Sequence, residues 1–135
     1  MFGGLLSVTM VLTPKADVFT SEEEHHMHAV IVTFRTREMP QDAFRELADE
    51  VAPAFSDIPG LVTKIWLDTP DPDAPGGGGV YLFEHKDDAD AYLASDLFRS
   101  GVSENPHFAD VRTQAVGVLD GPTRITSPGL APVAA

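Results

Sequence analysis

Two neighbouring stretches, Leu61-Val62-Thr63-Lys64-Ile65-Trp66-Leu67-Asp68 and Gly79-Val80-Tyr81-Leu82-Phe83-Glu84-His85, set the architecture of this chain. Each alternates in character, so its side chains point by turns to opposite faces of a sheet. The only Trp, one of the two Tyr, a Lys and a His all fall in these runs. A pocket for a flat, partly polar molecule would use such amphipathic chemistry on adjacent strands.

Between the two strands runs Asp68-Thr69-Pro70-Asp71-Pro72-Asp73-Ala74-Pro75-Gly76-Gly77-Gly78-Gly79. Its Pro and Gly content predicts a long, flexible hairpin loop. It is not a phosphate cradle, because the Lys and Ser/Thr of a P-loop are missing and no helix follows directly. Upstream, His28 to Arg35 is rich in Val, Ile, Thr and Phe and reads as the first strand. A helix opens near Pro40, and Phe44, Leu47, Ala48, Val51 and Phe55 share one of its faces. Pro53 should kink or end it. Ile58-Pro59-Gly60 turns into the second strand. Downstream, a second helix starts at Asp87 or Asp88 and buries Ala89, Tyr92 and Leu93. Leu97, Phe98, Val102 and Phe108 suggest further short helical turns, broken by Gly101 and Asn105-Pro106. Val111 to Asp120 is the last strand. The order β-α-β-β-α-β is the ferredoxin-like α+β pattern, an antiparallel sheet with helices on one face.

The chain has 135 residues, which is one domain by length. Residues 1–27 read as a flexible appendage ending in Glu22-Glu23-Glu24-His25-His26, and residues 121–135 as a C-terminal tail, with a compact unit at 28–120. Met1 to Leu12 is apolar but too short for a membrane span, and no positive charge precedes it as in a secretory signal. The net charge of −12 argues against nucleic acid and anionic membranes as partners. There is no Cys, so disulfides and thiolate chemistry are excluded, which fits a cytoplasmic protein. A sheet with helices on one side leaves its other face bare, and apolar side chains there predict a homodimer packed face to face.

Three stretches carry a family resemblance: Ile58-Pro59-Gly60-Leu61-Val62-Thr63-Lys64-Ile65-Trp66, Gly78-Gly79-Val80-Tyr81-Leu82-Phe83 and Ala89-Asp90-Ala91-Tyr92-Leu93. A Pro-Gly turn into a Lys-x-Trp strand, a Gly-Gly-x-Tyr-Leu-Phe strand and an Ala-x-x-Tyr-Leu helix together resemble the YdhR-like monooxygenases. These belong to the dimeric α/β-barrel group, which includes the cofactor-free monooxygenases of antibiotic biosynthesis. The resemblance covers about residues 28–120. It implies a small cytoplasmic homodimer, each protomer with a pocket between sheet and helices for a hydrophobic aromatic substrate. It further implies oxidation of an anthrone- or polyketide-like phenolic compound by O2, with no metal or flavin cofactor. The protein would bind the rings, help remove a proton and stabilise the oxyanion.

By motif, Trp66 carries over first and Tyr81 next. Each candidate side chain has a plain structural reading beside the functional one. Trp66 is a core residue or a wall of the substrate site. Lys64 shares its strand face, and needs a partner or a depressed pKa unless it snorkels to solvent or pairs at a dimer edge. Tyr81 meets a substrate oxygen or a backbone acceptor. His85, on the face of Tyr81 and Phe83, is a general base or a surface histidine. We place Tyr81, His85 and Lys64 in the catalytic set. Trp66, Phe83, Arg99 and His107 form the substrate-binding set, with His107 in a stretch suited to a lid. His25, His26 and His28 lie near carboxylates, but their spacing matches no closed metal site. No Ser-His-Asp arrangement is visible. Two rival functions stay open on the same fold. One is a cyclase or isomerase in which His85 or Lys64 moves a proton. The other is a non-catalytic dimer that binds a small molecule.

Overall fold

In the computed structural model, which describes residues 26–130, four antiparallel strands form one sheet. They are β1 (His28–Thr36), β2 (Leu61–Thr69), β3 (Gly76–Phe83) and β4 (Phe108–Gly117). Their spatial order is β2-β3-β1-β4, so β3 and β1 are central. The helices are α1 (Gln41–Phe55), α2 (Lys86–Leu93), a short α3 (Asp96–Phe98) that runs into a π-helical turn over Arg99–Ser103, and α4 (Asp120–Thr126). The ferredoxin-like α+β order read from the sequence is therefore the order of the fold.

Several boundaries differ from the expectation, each for a physical reason. The glycine run is not loop: Gly76 to Gly79 lie in β3, buried, and paired with β1 on one side and β2 on the other. Glycine is a poor strand former, yet pairing on both edges holds it extended. The hairpin loop shrinks to the residues between Thr69 and Gly76. His85 leaves the strand and occupies the N-cap position of α2. Pro53 sits inside α1, which ends two residues later at Phe55, so the proline falls in the last turn. Phe108 opens β4 rather than closing a helical turn. β4 ends at Gly117, short of Asp120, and the segment read as tail begins with α4, whose Pro122 lies in the first turn, where a missing N–H costs no helical bond.

Cross-strand partners share a sheet face, so the register sorts the side chains into rows. Lys64, Tyr81 and Val30 form one row across β2, β3 and β1. Trp66, Gly79 and Val32 form the next, and Asp68, Gly77 and Phe34 the one after. The helices cover this face. Val30, Val32, Tyr81 and Phe83 pack with Phe55 of α1, Ala89 and Tyr92 of α2, Phe98 and Val102. Met27 is 1% exposed, and its carbonyl accepts from Val118 N–H at 3.0 Å, so the packed unit takes in the residue before β1. Arg45 and Gln41 of α1 both donate to the Asp68 carboxylate, tying the start of the helix to β2. These two side-chain hydrogen bonds, with the Arg45 charge, hold the Asp68 carboxyl below its ordinary value.

The opposite face carries Ile65, Val80 and Ile31 in one row and Thr63, Leu82, Ala29 and Val116 in the next. Ile65 is 58% and Val116 37% exposed there. Among the described residues no helix is long and apolar enough to cross a membrane.

Candidate functional site

The middle rows of the covered face do not fill. Gly79 stands between Trp66 and Val32, and Gly77 between Asp68 and Phe34, so each row dips at β3. A cavity of about 220 Å³ occupies the space between this floor and the helices. Close approach requires glycine at Gly77, where a Cβ would lie 2.4 Å from the Phe44 ring and 2.6 Å from the Leu67 carbonyl; at Gly79 a Cβ would lie 2.8 Å from Lys64 Cε, which a shift of that flexible side chain could relieve. Without side chains there, Phe44 and Lys64 can lie flat across the strand.

The walls follow from the apolar stripe of α1. Phe44, Leu47, Val51 and Phe55 face inward, and Leu97, Val102 and Phe108 close the far side. Phe34 and Phe108 stack with centroids 4.0 Å apart, and Phe44 meets Phe34 edge-on at 5.8 Å. Trp66 meets Phe55 edge-on at 5.2 Å and, though 37% exposed, gives one side to the cavity. Asn105 also borders the cavity, but its amide is used within its own turn, donating to the Gly101 carbonyl at 3.1 Å and accepting from His107 N–H at 2.9 Å.

Among the described residues, two ionisable groups line this space, Lys64 and Tyr81. Lys64 Nζ lies 3.3 Å from the Trp66 ring centroid, 3.7 Å from Phe55 and 4.6 Å from Tyr81. Burial pulls its pKa from 10.5 down to about 7. The ring faces act the other way, each favouring the cation by about 0.5–2 kcal/mol; lost hydration, worth several kcal/mol, is the stronger effect. The amine is therefore poised to hold or release a proton near neutrality. Tyr92 Oη donates to Tyr81 Oη at 2.7 Å. Burial pushes the Tyr81 hydroxyl up to about 12, the hydrogen bond from Tyr92 partly offsetting it, while burial and the neighbouring Tyr81 push Tyr92 higher still.

Of the sequence candidates, the fold brings together Lys64, Trp66 and Tyr81. The others stand elsewhere. Phe83 is 0% exposed in the sealed core, one row beyond Tyr81. His85 is half-exposed and pairs with Asp88 at 3.3 Å. Arg99 is half-exposed and pairs with Asp96. The His107 ring lies 3.3 Å from the Arg37 carbonyl on the surface. His25 and Glu22 to Glu24 lie outside the described residues. In the sequence, Phe44, Val51 and Phe55 stand out only as one face of a helix, Phe108 only as part of short helical turns, and Asn105 only as a break in those turns. An apolar stripe looks the same whether it meets a filled row or one emptied by glycine.

The family model described as "Putative mono-oxygenase ydhR" matches residues 30–128. No curated protein matches the sequence. Among solved structures, the fold is similar to NE2512, a protein of unknown function from Nitrosomonas europaea. That match has a TM-score of 0.58 and 13% identity, over 71% of this chain and 92% of that one. It is similar also to SnoaB, a cofactor-independent oxygenase from Streptomyces nogalater. Here the TM-score is 0.54 and the identity 16%, over 70% of this chain and 94% of that one. Protein SO0527 from Shewanella oneidensis matches with a TM-score of 0.53 and 14% identity, over 70% and 92% of the two chains. Such low identities speak for the fold alone. The match over residues 30–128, most of the chain and all four strands' core, places this protein in the ydhR mono-oxygenase family.

Proposed function

We propose that this protein is a cofactor-independent monooxygenase that oxidises a flat, hydrophobic aromatic compound of the anthrone or polyketide type with O2. The observation that carries the reading is the aromatic-walled cavity whose ionisable groups are Lys64 and Tyr81, in a chain of a mono-oxygenase family. An anthrone is acidic at its ring methylene through the phenol tautomer. Lys64, as the free amine, takes that proton, and the resulting anion supplies electrons to O2. Over the whole reaction the methylene carbon loses two hydrogens and gains one oxygen atom. The second oxygen atom leaves with both hydrogens as water, so atoms and electrons balance without a further reductant. Trp66 and Phe55 hold the rings. Tyr81 accepts from Tyr92, which leaves its own proton for the substrate oxyanion.

Oxygen-electrode measurements with an anthrone test the reading: uptake should be stoichiometric with quinone formed. Trp66→Phe should weaken substrate affinity five- to thirty-fold, about 1–2 kcal/mol for one such contact. Product without oxygen uptake would favour a cyclase or isomerase using Lys64 to move a proton. Binding without turnover would leave a small-molecule carrier. We also propose that two chains pair through the open sheet face of Ile65, Val80 and Val116 in a cytoplasmic homodimer. Sedimentation at micromolar concentration should give twice the mass of the chain, and a stable monomer would refute the pairing.

A further inference from the structure

We propose that Lys64 is the specificity-determining residue of the cavity and that the ligand it selects carries an acidic group, bound as its anion against the Lys64 ammonium. The proposal rests on the cavity being the substrate site and adds the charge of what enters it. Three observations support it. Lys64 Nζ lies against the rings of Trp66, Phe55 and Tyr81, with no hydrogen-bond acceptor or ion-pair partner among the described residues. The chain holds 21 acidic residues, yet among the described residues no acid lines the cavity. A carboxylate facing Lys64 would be the ordinary way to settle a buried amine, and this chain, rich in acids, leaves that place open. Finally, Lys64 lies across Gly79, its Cε 2.8 Å from where a Cβ would stand, so the chain settles over bare backbone among the rings. A cation is thus held in an apolar space, and among the described residues it has no counter-ion. A ligand anion completes the site.

The same end state is reached by two routes. A ligand entering as the neutral acid hands its proton to the free amine; one entering ionised meets the ammonium. The groups that could compete are few. Tyr81, the other ionisable lining residue, is held un-ionised by its burial. The shallow groove on the outer side of Lys64, formed by Ala52, Ser56 and Leu61 to Thr63, adds no ionisable group.

Calorimetry on the full chain tests this with two flat probes of equal shape, 2-naphthoate and the uncharged 2-naphthamide. At pH 6.5 the carboxylate should bind at least ten-fold tighter. Lys64→Met should remove the carboxylate's advantage over the amide. Equal affinities in the native protein overturn the proposal, as does a preference that survives in Lys64→Met, or failure of both probes to bind at millimolar concentration. A second measurement needs no variant. Naphthoate is ionised throughout, so its advantage should be largest where Lys64 is protonated and fall as the pH is raised through the Lys64 titration. A preference that grows with pH overturns it equally. Neither readout involves oxygen. If the carboxylate preference holds and anthrones consume no O2, the monooxygenase reading falls alone. If anthrones turn over but the probes bind equally, the charge assignment falls alone.

Discussion

At one end of the covered sheet face, Phe83, Tyr92 and Ala89 close over β1 and β3 with almost nothing exposed. At the other end, past Tyr81, β3 carries glycine at Gly79 and Gly77, Lys64 and Phe44 lie over them, and a cavity remains beneath the helix. Both ends hold a polar group among aromatic rings, and they treat it differently. The Tyr92 hydroxyl has its acceptor in Tyr81, and the pair is sealed. Lys64 has three ring faces and, among the described residues, no acceptor. Burying a polar atom without a partner is costly. The two ends thus differ in whether the polar group finds its partner within the described chain.

The largest effect should come from the sealed end. Phe83→Ala should lower the unfolding free energy by about 3–5 kcal/mol, the range for emptying a tightly packed aromatic site. Trp66→Ala, at the half-open end, should cost clearly less in the same urea titrations. Equal losses would erase the distinction between the two ends.

Tyr92→Phe should cost about 1–2 kcal/mol, because it leaves a buried Tyr81 oxygen without its donor. It should also move Tyr81 ionisation to still higher pH, measured by ultraviolet titration. A neutral change in both would mean that the hydroxyl pair is not structural.

Lys64→Met should act in the opposite direction, as a gain in stability. Lys64 titrates near 7 in the folded chain and at 10.5 when unfolded, so between these values the unfolded state binds more protons. Its presence therefore destabilises most below pH 7, and the penalty fades as pH rises towards 10.5. After allowance for partial solvent contact, the Met variant should be more stable by roughly 1–2 kcal/mol at pH 6.5, the gap closing in alkali. Parallel stability curves for the two proteins, with no pH-dependent gap, would show that the amine is well solvated.

The sequence by itself determined the element order, the helix stripe through Phe44, Val51 and Phe55, and the face shared by Lys64 and Trp66. Hydrophobic period and strand alternation are local properties, carried by residues a few positions apart. Only the tertiary structure decided what those faces meet. Gly76 to Gly79 read as loop because glycine lowers strand propensity, and two flanking strands outweighed that preference. Their register then set Gly79 beside Trp66 and put Lys64 opposite Tyr81, turning a core stripe into a cavity wall. His85, Arg99 and His107 carry suitable chemistry in the sequence, but a helix start, a helical turn and a loop hold them at the surface. A side chain's chemistry is written in the chain; its partners come from segments far apart in sequence, and packing chooses them.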